Sequence, residues 1–276
     1  MLLTGATGRL GTCFKALLAD PHSPSRSQFD LGLPDTLELF LGDMRPDGII
    51  NCASYTAVDL AEAEPEVAHR VNATAVGVMA SYAATAGIPF VTFSTDYVFD
   101  GEATRPYVES DRTAPINVYG ESKAGGERAA LRAYPGALVV RTSWLMSATH
   151  PSFATQIVER AVAGPVPVVV DEIGSPTFAA DLAVATLAAL DAGVSGLLHL
   201  ANTGAASRYD LARAACAAAG LDPAMVQPVP AAEYPRRAKR PRYSALASER
   251  LERFGLTPLR GWRETLADVL AAWPIR

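Results

Sequence analysis

The chain has 276 residues, 49% hydrophobic and 19% charged, with a net charge of -5. That length buries about three quarters of the unfolded surface, enough for one large domain or two closely joined ones, and the composition is that of an ordinary globular protein. The acidic balance and the lack of a basic stripe argue against a nucleic-acid partner. No apolar run reaches the roughly 18 residues of a membrane span, and Gly5 and Gly8 interrupt the N-terminus too early for a signal peptide, so a cytoplasmic protein is expected.

Cys13, Cys52 and Cys216 lack the close pairing of metal or redox motifs. The four histidines show no i, i+4 pair. Buried reduced thiols and no metal site are expected.

In chain order, Leu2, Leu3 and Thr4 form a short apolar strand that runs into Gly5, Gly8 and Gly11, and residues 10–19 read as a helix. Strand, glycine turn and helix N-terminus together make an anion site, because free N–H groups and the helix dipole favour a pyrophosphate that glycine lets come close. The second strand should lie within residues 20–30. Pro21 and Pro24 make it short or irregular. Arg26 falls near the adenosine ribose of a bound dinucleotide with no acid immediately beside it, which tilts the choice toward NADPH over NADH, and Asp30 and Leu31 would line the adenine.

Residues 37–41 read as a helix and residues 48–53 as a buried strand. The strand ends at Ala53 and delivers Ser54, Tyr55 and Thr56 to the edge where open parallel sheets bind ligands. A long helix over residues 65–87 follows, with Val67, Val71, Ala75, Val78, Met79 and Tyr82 on its core face. A strand over residues 89–94 brings Thr95 to the same edge.

Tyr119 and Lys123 are four residues apart, so on a helix they share one face. Tyrosine, with a reference pKa of about 10, is a poor acid near neutrality, and a neighbouring ammonium corrects this by stabilising the phenolate. Only three of the 24 Lys+Arg are lysines, yet position 123 has kept one. Spacing alone leaves an ordinary surface pair equally open. A strand over residues 137–141 completes a β-α-β pattern, whose natural fold is α/β, a doubly wound parallel sheet.

The second half lacks a phosphate loop. It reads as a helix (151–163), a strand (166–170), a turn (174–177), an alanine-rich helix (179–192) and a strand (196–200), then short helices and Pro-rich turns. The helix and strand over residues 178–200 are expected to return to the sheet. Residues 1–145 would then be the dinucleotide-binding domain, and residues 146–177 with 201–276 a smaller substrate-binding domain.

With these pieces placed, the chain resembles the extended short-chain dehydrogenase/reductases, and within them the dTDP-4-dehydrorhamnose reductase family. The resemblance rests on residues 5–11, 51–59, 94–101 (Ser-Thr-Asp-Tyr-Val-Phe-Asp-Gly), 117–123, 141–144, 174–177 and the Arg240-Pro241 pair with Ser244 and Leu246. It implies a Rossmann sheet, and Tyr119 as proton donor with Lys123 binding the nicotinamide ribose and tuning it. Thr95 would stand for the superfamily's catalytic serine. Gly8, Arg9, Leu10, Asp30, Leu31, Ser54, Tyr55 and Thr56 match cofactor-contacting positions, while Asp96 and Trp144 match substrate-contacting ones. The implied substrate is a dTDP-linked 4-keto-6-deoxyhexose. Its diphosphate needs cations, for which Arg236, Arg237, Lys239 and Arg240 are candidates, Arg240 foremost. The protein would act as a monomer or homodimer. Leu145-Met146-Ser147 departs from the family's Val-Tyr-Gly, and Leu60 from its lysine. A nucleotide-sugar epimerase and a non-catalytic regulatory subunit are alternatives on the same fold.

Overall fold

The structure is a computed structural model and describes residues 1–273. Strand β1 (Leu2–Thr4) is buried along its length and turns through Gly5, at φ +65°, into helix α1 (Arg9–Leu17). The chain then lays His22 alongside β1, with Leu3 N–H donating to the His22 carbonyl and His22 N–H to that of Met1. Pro21 and Pro24 flank this bridge and supply no N–H donor, so the expected irregular edge extends no further as a strand.

Helix α2 (Pro34–Met44) begins on a proline and stops where Arg45 turns left-handed. Strand β2 (Ile49–Asn51), the short α3 (Val58–Ala61) and then α4 (Pro65–His69) and α5 (Ala75–Ala86) follow. A π-helical turn, Arg70–Thr74, joins the last two into one rod. The wide turn rotates the apolar stripe, so Val71, Ala75 and Met79 are buried together with Val76, Ala80 and Ala83, while Val67, Val78 and Tyr82 are only partly covered. Strand β3 (Phe90–Thr95), helix α6 (Val118–Ala133) and strand β4 (Leu138–Thr142) complete the first half.

The second half alternates short strands and helices: β5 (Leu145–Met146), α7 (Phe153–Ala163), β6 (Val166–Val169), β7 (Ile173–Gly174), β8 (Thr177–Phe178), α8 (Ala179–Asp191) and β9 (Gly196–His199). They are followed by β10 (Asn202–Thr203), β11 (Ala206–Ser207), α9 (Arg208–Ala218), β12 (Val226–Val229), β13 (Leu259–Gly261) and α10 (Trp262–Ala271). The expected turn at 174–177 is instead a pair of two-residue strands around Ser175 and Pro176. Strand β7 pairs antiparallel with β11, and β8 parallel with β5. Periodicity has no purchase on elements this short, which tertiary pairing alone creates.

The main sheet is parallel, in the order β1-β2-β3-β4-β9. From β1 the chain steps outward to His22 and crosses back through α2 to β2. That reversal is the topological switch point, and ligands of open parallel sheets bind at the carboxyl ends beside it. Successive residues point to opposite faces. Leu2, Ile49, Phe90 and Val139 pack with α2 and α5, whereas Leu3, Ile50, Val91 and Val140 pack with α1 and α8. Full burial of each such side chain is worth about 1.5–3 kcal/mol. Of the three free thiols, Cys216 is buried as expected, whereas Cys13 and Cys52 are partly exposed, Cys52 because it lines the cleft after β2. Among the described residues no helix is long and apolar enough to cross a membrane.

Candidate active site

The carboxyl ends of β1 to β4 open into one cleft of about 1150 Å³. At one end lies the glycine turn. Gly8 N–H donates to the Gly5 carbonyl, and no side chain caps α1, so the first-turn N–H groups of Arg9, Leu10 and Gly11 are left for a ligand. A Cβ on Gly11 would lie 2.1 Å from the Gly5 oxygen, and one on Gly5 2.7 Å from the Cys52 carbonyl carbon. Only glycine lets the turn, the start of α1 and the end of β2 pack this closely, and the helix start so placed favours an anion such as a pyrophosphate. Arg9 turns its guanidinium away to the Pro151 carbonyl (3.0 and 2.6 Å), and His150 Nε2 lies 3.0 Å from the Thr7 carbonyl. The loop before α7 is thus tied to the glycine turn.

Arg26, Asp30 and Leu31 line the adjoining wall. Arg26 is 84% exposed, and its Nε lies 3.6 Å from Asp30 Oδ1. No acid is adjacent to Arg26 in the chain, but the fold brings Asp30 to it. Phe29 N–H donates to the Ser25 carbonyl, a helical turn that brings residues four apart together. Asp30 also accepts the Gly32 N–H.

On the opposite wall Ala53, Ser54, Tyr55 and Thr56 follow β2. Asn72, on the π turn, accepts from Ser54 Oγ and Tyr55 N–H and donates to the Tyr55 carbonyl and Ser122 Oγ. Every polar group of this buried amide is satisfied, so the wall is rigidly placed. Single-turn π segments occur frequently at functional sites.

The other end of the cleft holds the ionisable groups. Asn117 caps α6 by accepting the Gly120 N–H at 2.7 Å and donates to the Lys239 carbonyl at 2.8 Å. Two residues past the cap, Tyr119 faces Thr95. Burial pushes the Tyr119 phenol up, Thr95 draws it down by hydrogen bonding, and Asp96 adds to the rise. Lys123 is almost fully buried and donates to Ser54 Oγ at 3.3 Å. Burial pushes it down to about 8, against the charge of Glu127. The expected lowering of Tyr119 by Lys123 is therefore not what the chain alone shows, because the ammonium is turned to Ser54 and the phenol to Thr95.

Thr95 Oγ1 donates to Asp96 Oδ1 at 2.9 Å and accepts the Tyr97 N–H at 3.2 Å. Asp96 Oδ2 accepts from Ser244 Oγ at 2.6 Å, and burial raises its pKa. Nearby, Thr142 Oγ1 and Ser143 Oγ are buried with no hydrogen-bond partner among the described residues. Two orphaned hydroxyls at one end, and first-turn N–H groups with no side-chain cap at the other, fit a dinucleotide that runs the length of the cleft. Trp144, at φ 45°, lies against Gly174, and the Arg208 guanidinium stacks 3.6 Å from its ring.

Arg240 does not reach this cleft. It lines an adjoining cavity of about 360 Å³ with Tyr97, Phe153, Arg208 and Arg236. Its fork is engaged by Asp59, at 2.7 and 3.2 Å, and Arg236 pairs with Glu172. Arg237 and Lys239 are exposed. Sequence reasoning missed Asn72, a polar residue beside the apolar stripe of its helix, and Glu127, one turn beyond Lys123. Both had a spacing signal. Arg208 had none, since only the tertiary fold carries the start of α9 to Trp144.

Comparison with known proteins agrees with this geometry. The family described as "RmlD substrate binding domain" matches residues 1–274. A dTDP-4-dehydrorhamnose reductase of Mycobacterium tuberculosis is 45% identical over 283 residues, which cover 99% of this chain and 92% of that protein. A solved dTDP-4-dehydrorhamnose reductase of Clostridium acetobutylicum superposes with a TM-score of 0.94 at 33% identity, covering 98% of each chain. One of Bacillus anthracis, solved in complex with NADP, gives 0.93 at 32% identity, again over 98% of each. The chain, matched along nearly its whole length, therefore belongs to the RmlD substrate binding domain family, on the dTDP-4-dehydrorhamnose reductase branch that its motifs resemble.

Proposed function

We propose that this protein is an NAD(P)H-dependent oxidoreductase that reduces the C4 ketone of a dTDP-linked 4-keto-6-deoxyhexose. The observation that carries the reading is the meeting of Tyr119, Thr95 and Lys123 at one end of a single cleft whose other end is the glycine turn. Relatives with reductase names, one of them solved with NADP, favour reduction over the epimerase and regulatory readings.

Gly5, Gly8, Arg9, Leu10 and Gly11 would hold the cofactor's pyrophosphate. Arg26, Asp30 and Leu31 would hold its adenosine end, and Ser54, Tyr55 and Thr56 its middle. A bound reduced nicotinamide supplies hydride. Tyr119 is protonated at neutral pH, as a tyrosine of ordinary pKa already is; burial makes it a weaker acid in the chain alone, and it is the group placed to protonate the oxygen that becomes alkoxide. Thr95 lies against the same hydroxyl, but its own hydrogen is held by Asp96. It orders Tyr119 first, and reaches the substrate oxygen by rotating its hydroxyl. Lys123 remains mostly an ammonium below about pH 8 and faces the Ser54 side of the cleft. Trp144, beneath Arg208, would wall the sugar. The diphosphate would enter the adjoining cavity, where Arg208, Arg236 and Arg240 converge.

The division of labour we infer gives residues 1–145, with 178–200, to the cofactor, and 146–177 with 201–276 to the substrate. We assign the enzyme to the cytoplasm, as a monomer or homodimer.

The test is oxidation of NADPH and NADH followed with a dTDP-4-keto-6-deoxyhexose generated in situ. Tyr119→Phe should lower kcat/KM by about 10²- to 10⁴-fold while cofactor affinity is retained. Undiminished turnover in that variant would remove Tyr119 as the proton donor.

A further inference from the structure

Glu127 stands on α6 in the same row as Tyr119 and Lys123, at successive steps of four, and is almost wholly buried. Its Oε1 accepts from Ser94 Oγ and from Arg141 Nε at 2.8 Å, and its Oε2 accepts from Arg141 Nη2 at 2.7 Å. Ser94 precedes Thr95 on β3, and Arg141 is its register partner on β4. One carboxylate thus joins the helix that carries Tyr119 and Lys123 to the two strands beneath the reacting end of the cleft.

The charges around it make a second point. Lys123 and Arg141 are both buried cations. Among the described residues, Glu127 is the carboxylate whose field acts on Lys123. The other groups on the surrounding elements are committed elsewhere. Asp96, on the turn after β3, accepts from Thr95 and Ser244; Glu64 accepts from Tyr55; Asn72, on the π turn, is neutral. Beyond Arg141, His199 on β9 touches Arg141 Nη1 at 3.3 Å and is pushed toward its neutral form by burial, and its backbone N–H donates to Glu109. Without Glu127 two cations would be left in a low-dielectric site, an arrangement resolved by deprotonating the lysine, since arginine does not give up its proton.

We propose that Glu127 is a positioning residue for the reduction: it clamps α6 to the sheet through Ser94 and Arg141, and its charge keeps Lys123 an ammonium at the working pH. The inference rests on the reading of Tyr119 and Lys123 above, and its test reads Lys123 directly, so that the two can fail separately.

Lys15, Lys123 and Lys239 are the chain's only lysines, so carbon-labelled lysine gives three side-chain signals to titrate by NMR, assigned with Lys15→Arg and Lys239→Arg. In the wild type the Lys123 signal should titrate near 8, well below the other two. Glu127→Gln should move it down by a further one unit or more, about the effect of removing an opposite charge. Glu127→Asp, which retains the charge, should restore most of the shift. The alkaline limb of the kcat/KM profile should move the same way, because that profile reports the free enzyme. An unchanged Lys123 titration in Glu127→Gln would overturn the proposal, whatever the activity. If that variant does not fold, the double variant Glu127→Gln with Arg141→Met keeps the pocket balanced. It should show a smaller shift in the same direction; no shift, or an upward one, would overturn the proposal equally.

Discussion

At the scale of single residues, the two ends of the cleft work by different physics. The glycine turn acts by what is missing: a Cβ on Gly11 would stand 2.1 Å from the Gly5 oxygen, inside any tolerable contact. The reacting end acts by burial, which makes Tyr119 a weaker acid in the chain alone and weakens the hold of Lys123 on its proton. Arg26 lies between these regimes, exposed and loosely paired with Asp30. An exposed arginine that meets a 2′-phosphate contributes about 1.4 kcal/mol, a tenfold change in affinity. Arg26→Ala should therefore weaken NADPH binding by about tenfold and NADH binding little, as fluorescence titration of each cofactor will read. Equal losses would dispose of the 2′-phosphate role.

Among the elements, α6 is placed by close approach as much as by its cap. A Cβ on Gly120 would lie 2.1 Å from the Tyr97 carbonyl oxygen and one on Gly126 2.1 Å from that of Asn72. The π turn thus presses its backbone on α6 one turn past Lys123. Gly125, the next-door glycine, would meet side chains alone, Ala73 at 3.2 Å and the ends of Arg128 and His69 at 3.9 Å. Gly126→Ala should cost about 1–3 kcal/mol of stability through an overpacked backbone contact. Gly125→Ala should be close to neutral, its tighter contact offset by a helix-propensity gain of about 0.5–1 kcal/mol. Urea unfolding midpoints distinguish the two, and equal costs would show that the approach to Asn72 does not position the helix.

For the whole molecule, ion pairs set the response to acid, and one of them, Arg240–Asp59, joins residues 181 apart in the chain. Arg105 grips Asp111 with two bonds, at 2.8 and 2.7 Å, and holds it at about 2. Burial raises Asp59, but hydrogen bonds from Arg240 and the Ala238 N–H outweigh that and leave it lowered. Carboxylates whose folded pKa is depressed stabilise the fold above their unfolded pKa and lose that contribution as pH falls through the folded value. Asp96, raised by burial, has the opposite sign: its protonation relieves a cost. Both pairs are partly exposed, so each contribution is modest. The wild type should lose more stability than Asp111→Asn as pH falls from 3.8 to about 2, measured by urea midpoints at each pH. Parallel curves would refute the assignment.

The sequence by itself determined the elements whose signals are local. Alternation of strand faces at Leu2 and Leu3 or Ile49 and Ile50, the glycine turn, and the i, i+4 pair of Tyr119 and Lys123 all depend on neighbours a few residues away. These elements in turn dictated a doubly wound parallel sheet and located one cleft along its carboxyl edge. Only the tertiary structure decided which partners those side chains take. Lys123 turns to Ser54 and not to Tyr119, Arg26 gains Asp30, Arg240 is taken up by Asp59, and Arg208 arrives on Trp144 from 64 residues away. Hydrogen bonds and ion pairs are short-ranged and directional, so their outcome depends on ångström-scale placement of segments remote in the chain, which no periodicity or spacing records.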